Sequence, residues 1–318
     1  MKDGFGRTIE YLRISVTDRC NLRCVYCMPE QGTAPLSHAD ILSYEQIARL
    51  VRVFASLGVR KVRLTGGEPL VRKNLDALVR MLRGVDGIER IALTTNGVLL
   101  PEQLPALMDA GLDAVNISID TTDEAHFCAI TRREGLFAVL CAIEACARTP
   151  GLITKLNCVP TERNADDLAA LVAYADGIGV PLRFIELMPI GCGKTQKGLS
   201  EAEVLDLLSA RFGAWTIEPE TAGDKCRNYR CGTMRVGFIS PLSHRFCENC
   251  NRVRLTSDGM LKTCLEYPPQ LDLKKLLNGS DETIRAAILE AIKAKPAAHR
   301  FSEHAADTEP RGMSGIGG

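Results

Sequence analysis

The stretch that decides the fold runs Tyr11-Leu12-Arg13-Ile14-Ser15-Val16-Thr17-Asp18-Arg19-Cys20-Asn21-Leu22-Arg23-Cys24-Val25-Tyr26-Cys27. Its first half alternates. Leu12, Ile14 and Val16 share one strand face and Arg13, Ser15 and Thr17 the other, because successive strand side chains point to opposite sides. Its second half is a polar loop with cysteines spaced Cys-x3-Cys-x2-Cys. A strand therefore delivers a thiol-bearing loop at its C-terminal end.

The two-faced alternation recurs downstream. Val62 and Leu64 oppose Lys61 and Arg63; Ile117 and Ile119 oppose Asn116, Ser118 and Asp120; Leu156 and Cys158 oppose Lys155 and Asn157. An ordinary buried parallel sheet is apolar on both faces. Here one face packs on helices and the other lines something polar. Further strand signals fall at 90–94 and 182–187, with helical patterns at 74–83, 136–148 and 166–175 and a capping box at Ser43–Gln46 opening a helix that ends near Leu57-Gly58. Six strand–helix units imply a parallel sheet of α/β class, a partial or complete barrel, with a doubly wound open sheet as the alternative.

That rhythm stops between Leu187 and Thr195, which divides the chain into a barrel over 1–190 and a C-terminal α+β region over 191–318. The second region holds a helix capped at Ser200–Glu203, short strand-like pieces between Trp215 and Leu265, and a helix from Asp281 to about Lys293. The tail from Pro296 to Gly318 is polar and glycine-rich, and composition alone reads it as disordered.

At 318 residues and 46% hydrophobic the chain can bury a sizeable core, and a net charge of +0 points away from nucleic acid and membrane surfaces. The N-terminus lacks the apolar centre of a signal peptide, and no run approaches a membrane span. Thirteen cysteines then read as metal ligands or buried thiols of a reducing, cytoplasmic protein.

Three thiolates in one loop suit an iron–sulfur cubane, which normally takes four; one iron would stay open for chemistry. Structural zinc wants four closed ligands, and neither His38 nor another neighbour supplies the fourth. Gly66-Gly67-Glu68-Pro69 follows a strand and lets a ligand approach the backbone closely. Gly191-Cys192-Gly193-Lys194-Thr195 imitates a phosphate loop, but Met188 stands where that pattern needs its first glycine. A second thiol group comprises Cys247, Cys250 and, after a Ser257-Asp258-Gly259 turn, Cys264. A zinc site of Cys226, Cys231, Cys247 and Cys250 is its rival by spacing. Arg252 and Arg254 point the same way from one strand-like run, as bidentate phosphate capture requires. With Arg13, Lys61, Arg63, Lys155 and Arg183 they place seven cations on or beside ligand-facing positions. Burying so many unpaired is costly, so the ligand reads as a polyanion such as a nucleoside triphosphate.

Cys20-x3-Cys24-x2-Cys27 with Gly66-Gly67-Glu68-Pro69 resembles the radical S-adenosylmethionine superfamily. The text around Ser15–Cys24, Thr65–Arg72, Thr94–Gly97, Arg183–Glu186 and Cys247–Cys264, and the Gly317-Gly318 end, resemble its nucleotide-cyclising branch in molybdenum-cofactor biosynthesis. The resemblance implies an incomplete (β/α)6 TIM-like barrel with a C-terminal Fe–S-binding α+β extension. It implies two 4Fe–4S clusters, on Cys20, Cys24 and Cys27 and on Cys247, Cys250 and Cys264, with S-adenosyl-L-methionine at Tyr26, Gly67, Ser118 and Met188. GTP contacts carry over to Arg13, Arg63, Thr94, Lys155, Arg252, Val253 and Arg254, with Lys61 and Arg183 in the same cavity and Gly317 and Gly318 reaching it. Arg13, Arg63, Lys155, Arg252 and Arg254 are the implied catalytic set. The implied reaction starts from a 5′-deoxyadenosyl radical that takes hydrogen from C3′ of GTP, after which the C3′ radical adds to C8 and reduction of the resulting aminyl radical gives the 7,8-dihydro product. The implied partners are a flavodoxin- or ferredoxin-type reductant (dithionite in vitro), a second copy in a homodimer, and cyclic pyranopterin monophosphate synthase as recipient of the product.

Overall fold

Strand β1 (Tyr11–Ser15) buries Leu12 and Ile14 completely and leaves Tyr11 and Arg13 partly accessible. The same alternation shapes β2 (Lys61–Thr65), β5 (Ile153–Cys158) and β6 (Leu182–Ile185), and β3 (Arg90–Thr95) and β4 (Ala114–Ser118) lie between them. These come from a computed structural model that describes residues 1–219, 225–301 and 311–317. β1 to β6 pair in parallel, each with the next. The helices between them cover the outer face. Tyr44–Ser56 starts at the expected Ser43–Gln46 capping box and buries Ile47, Leu50, Val51 and Phe54, the spacing of one helix face. Leu136–Arg148 also matches its sequence pattern, while the expected 166–175 helix is Leu168–Gly177 behind a short turn of 3-10 helix.

The C-terminal region does not stand apart as a separate layer. It adds β7 (Thr216–Ile217), β8 (Arg227–Cys231), β9 (Met234–Ile239), β10 (Arg252–Leu255), β11 (Met260–Lys262) and β12 (Leu271–Asp272) to the same sheet. β9 pairs in parallel with β6, and β10 pairs in parallel with β1. The sheet order is β12-β11-β10-β1-β2-β3-β4-β5-β6-β9-β8-β7. The barrel of six strands thus gains a parallel strand at each edge, and among the described residues the ends do not pair. Between β9 and β10 the chain crosses from one edge to the other, carrying Cys247 and Cys250 over the open side. One continuous apolar core runs from Ile9 to Ile292. A small satellite of Ile190, Phe301 and Ile316 sits under the tail.

Composition read the tail as disordered, and for residues 311–317 that expectation is corrected. Met313–Ile316 forms a short helix with Ser314 and Ile316 buried. The apolar satellite and polar ties described below fix it, and composition cannot register either.

Candidate active site

The first thiol loop is held from both sides by main-chain bonds. Arg23 and Val25 donate their N–H groups to Thr131 and Ile130 carbonyls at 2.8 and 2.9 Å, and the Arg132 guanidinium donates to the carbonyls of Arg23 and Met28. Burial pushes the thiols up: Cys20 is raised, Cys24 stands well above its ordinary value, and Cys27 reaches about 12. A thiolate is unfavourable there unless a bound cation stabilises it. Among the described residues no three His, Cys, Asp or Glu side chains close on the point a single ion would occupy. A cubane offers a different iron to each thiolate, so the donor set fits a cluster better than a lone ion.

Gly66-Gly67-Glu68 braces this loop. The Gly67 and Glu68 amides donate to the carbonyls of Thr17 and Arg19 at 2.8 and 2.7 Å. A Cβ on Gly67 would sit on the Arg19 carbonyl, well inside van der Waals contact, so only glycine fits. The Glu68 carboxylate accepts from Leu70 N, Thr95 Oγ1 and Asn96 N, and burial pushes its pKa up to about 7 against those bonds. Asn96 in turn donates to the Cys20 sulfur at 3.9 Å. Tyr26 donates its hydroxyl to Asp120 at 2.6 Å, and Asp120 also accepts from Val159 N. Ser118 ends β4 opposite Asn157, and Met188 packs on the Ile190 satellite. Of the residues assigned to adenosylmethionine by resemblance, Gly67 braces the first thiol loop, Tyr26 lies within it, Ser118 ends β4 and Met188 follows β6.

The cations do gather. Register places Arg254, Arg13 and Arg63 side by side across β10, β1 and β2, with Arg252, Tyr11 and Lys61 one layer away. Arg63 donates to the Tyr11 hydroxyl at 2.5 Å, to the Leu93 carbonyl at 2.9 Å and to Thr94 Oγ1 at 3.2 Å. Arg183 donates to Asn157 at 2.7 Å, and the Asn116 carbonyl, turned toward the cations, accepts from Arg63 and Arg183. Lys155 is the neighbour of Asn116 on β5 and shares its face. Burial, with mutual repulsion, holds Arg13 well below its ordinary value, brings Arg254 down to about 10 and lowers Arg183. The Nε atoms of Arg183 and Arg252 are buried without a hydrogen-bond partner among the described residues. A polyanion would satisfy these donors and relieve the repulsion. Val253 differs from its neighbours: its side chain is buried on the helix face beside Leu12, leaving only its main chain toward the gallery.

Sequence reasoning missed Tyr11 and Lys295. Burial alone would raise the Tyr11 phenol, but Arg63, Arg13 and Arg252 outweigh it and bring it to about 8. Its place one layer from Arg13 was the available signal. Lys295 lies beside the second triad and donates to the carbonyls of Arg252 and Thr263. Burial opposes ionisation of Cys250, yet Lys295, Lys225 and Arg252 pull it below its ordinary value. Cys247 is likewise lowered, burial being outweighed by His299, while burial raises Cys264. The rival zinc set fails. Cys226 precedes β8 and Cys231 ends it, five extended residues or about 16 Å apart, and Cys231 donates to the Phe212 carbonyl.

The tail reaches the first triad and the arginine gallery. Arg311 pairs with Asp258 at 3.2 Å, the Ser314 amide donates to the Cys27 sulfur, and the Gly317 carbonyl accepts from Arg254. Gly317 has φ +76°, and a Cβ there would lie 2.7 Å from Thr65 Oγ1. Gly318 lies outside the described residues.

Known proteins fit this arrangement. Residues 14–175 match the radical SAM superfamily, and residues 180–301 match the family described as Molybdenum Cofactor Synthesis C. "GTP 3′,8-cyclase" of Pelotomaculum thermopropionicum is 45% identical over 329 residues, covering 100% of both chains. This chain belongs to the GTP 3′,8-cyclase family. The namesake of Rhodopseudomonas palustris is 44% identical, covering 100% of this chain and 96% of that one. Among solved structures, Streptococcus suis SuiB bound to S-adenosylmethionine has a TM-score of 0.59 at 15% identity, over 88% of this chain and 68% of its own. That likeness is one of fold. The cyclase family places the chain among radical SAM enzymes, which work with an iron–sulfur cluster and S-adenosylmethionine. No helix among the described residues is long and apolar enough to cross a membrane.

Proposed function

We propose that the chain converts GTP to 3′,8-cyclo-7,8-dihydro-GTP, the first step of molybdenum-cofactor biosynthesis, using two 4Fe–4S clusters. Cys20, Cys24 and Cys27 would hold one, and Cys247, Cys250 and Cys264 the other. Membership of the cyclase family supports the reaction. The convergence of Arg13, Arg63, Arg183, Arg252 and Arg254 between the two thiol groups carries the site assignment.

When bound, the first cluster and adenosylmethionine supply the radical that removes hydrogen from C3′ of GTP. The protein's own contribution is placement. Arg252 and Arg254, spaced to reach one phosphate group together, and Arg13 and Arg63 beside them anchor the triphosphate, which fixes the ribose against the first loop. Gly67 lets the glycine turn close on the Arg19 carbonyl and hold the first loop in place, with Tyr26, Ser118 and Met188 assigned to adenosylmethionine. The tail at Gly317 covers the cavity mouth and excludes water from a reactive intermediate. Homodimer formation and hand-over to cyclic pyranopterin monophosphate synthase belong to the same proposal.

The test is anaerobic turnover of reconstituted protein with GTP, adenosylmethionine and dithionite. 5′-Deoxyadenosine and a cyclised nucleotide are expected, with about eight irons per chain. If GTP fails to stimulate adenosylmethionine cleavage, the substrate assignment is wrong; if zinc binds and iron does not, the cluster assignment is wrong.

A further inference from the structure

The two thiol groups stand at opposite ends of the sheet. Cys20, Cys24 and Cys27 follow β1. Cys250 instead precedes β10, which runs parallel to β1, and Cys264 follows β11, which runs antiparallel to β10. The second group therefore lies where the chain begins, and Glu10 and Tyr11 both donate their N–H groups to the Asn251 carbonyl.

Residues 1–9 close into a tight loop at that end. Lys2 and Thr8 form an antiparallel bridge, and Ile9 N donates to the Met1 carbonyl at 2.8 Å. Asp3 accepts from the amides of Phe5 and Arg7 at 2.9 and 3.0 Å and pairs with Arg7 Nε at 2.5 Å; both side chains are buried. That pair orients the guanidinium and leaves its far side to reach out of the loop. Arg7 Nη1 donates to the carbonyls of Cys247 at 2.8 Å and Ala297 at 2.7 Å, and Nη2 donates to that of Pro296 at 2.6 Å. A planar fork can hold three carbonyls on two distant segments at once; a lysine cannot.

The strap Lys295–His299 surrounds the second thiol group. Lys295 is buried and donates to the carbonyls of Arg252, two residues from Cys250, and Thr263, next to Cys264. His299 is buried as well. Its Nε2 donates to the Pro241 carbonyl at 2.7 Å, and its ring and main-chain N–H both meet the Cys247 sulfur. N–H groups and cations beside thiolate ligands hold them in place and favour the extra negative charge of a reduced cluster.

We infer that Arg7 is a positioning residue of the second metal centre: it locks the Lys295–His299 strap onto the Cys247 loop, and the strap keeps the centre bound and raises its reduction potential. Arg7 acts through Lys295 and His299, and the first thiol group, beyond the other end of β1, is outside its reach. The inference rests on the two-cluster reading.

Its test follows anaerobic iron release from the reconstituted holoenzyme to a chelator, together with an EPR-monitored redox titration. Cys264→Ser identifies which phase of each belongs to the second centre. Arg7→Lys keeps the charge and loses the fork. Arg60→Met is the control, an exposed arginine at the same end of the sheet that pairs with Glu89 on the surface. Arg7→Lys is expected to speed release from the second centre about ten- to a hundredfold and to leave the first within about twofold. The potential of the second centre should fall by about 59 mV, the one-electron equivalent of tenfold in its reduction equilibrium. Equal acceleration of both centres, an equal effect from Arg60→Met, or release and potential unchanged from the parent would overturn the inference. If Arg7→Lys retains no second centre, His299→Gln decides, because it can keep the bond to Pro241 and loses the ring at Cys247. A lowered potential then sustains the strap's role and an unchanged one overturns it. A parent holding about four irons instead of about eight overturns the two-cluster reading itself, a separate outcome.

Discussion

The guanidinium of Arg254 donates to the carbonyl oxygen of Gly317, tying the end of the described tail to a strand that faces the cation gallery. Arg254 pairs in register with Arg13, and Gly317 packs against Ser15 and Thr65 at the ends of β1 and β2. One hydrogen bond thus links the tail, the gallery arginines and the strand that delivers the first thiol loop. A triphosphate competing for Arg254 would act directly on the tail.

Arg252→Ala removes a gallery cation whose Nε has no partner among the described residues. GTP affinity should fall about ten- to a hundredfold, the loss of a charge-assisted contact of about 1.5–3 kcal/mol. Iron content should be unchanged. Equilibrium dialysis and iron analysis check both; loss of iron would make Arg252 a structural support of the second triad instead.

Gly67→Ala drives a methyl into the Arg19 carbonyl and must displace the first loop or the Gly-Gly turn. Adenosylmethionine binding should be lost and the melting temperature lowered by several degrees, about 1–3 kcal/mol of overpacking. The second triad should keep its iron, read as about half the parental content.

Tyr11 should titrate near 8, followed by its phenolate absorbance and assigned by its loss in Tyr11→Phe. The folded pKa lies below the ordinary 10, so the phenolate is the form that folding favours. Its contribution, up to about 2–3 kcal/mol, is complete above about pH 10 and is lost as the pH falls through about 8. GTP should move the transition back up, because bound phosphates offset the arginines that lower it. A titration unmoved by GTP would place the triphosphate elsewhere.

Cys264→Ser should remove about half the iron, whereas Cys231→Ser should leave it unchanged, because Cys231 faces the Phe212 carbonyl. Metal analysis of the two proteins separates the cluster from the rival zinc site. An equal loss in both would restore the zinc reading.

The polar–apolar alternation of β1, β2 and β5 was legible because strand periodicity is local, and it correctly put Arg13, Arg63 and Lys155 on the inner face. The capping boxes at Ser43 and Ser200 fixed two helix starts for the same reason. The edge pairings were not legible. β10 reaches β1 across more than two hundred residues, and a four-residue strand carries no signal naming its partner.

By itself the sequence determined the two thiol groups, the glycine turn that must approach the backbone and the inner face of β1, β2 and β5, because each depends on spacing along one segment. Only the tertiary structure decided that β9 and β10 extend opposite edges of one sheet, that Cys226 and Cys231 part company, and that residues 311–317 pack beside Cys27 and Arg254. Those outcomes depend on which distant segments bury one another's apolar surface and answer one another's charges. No local pattern records that choice.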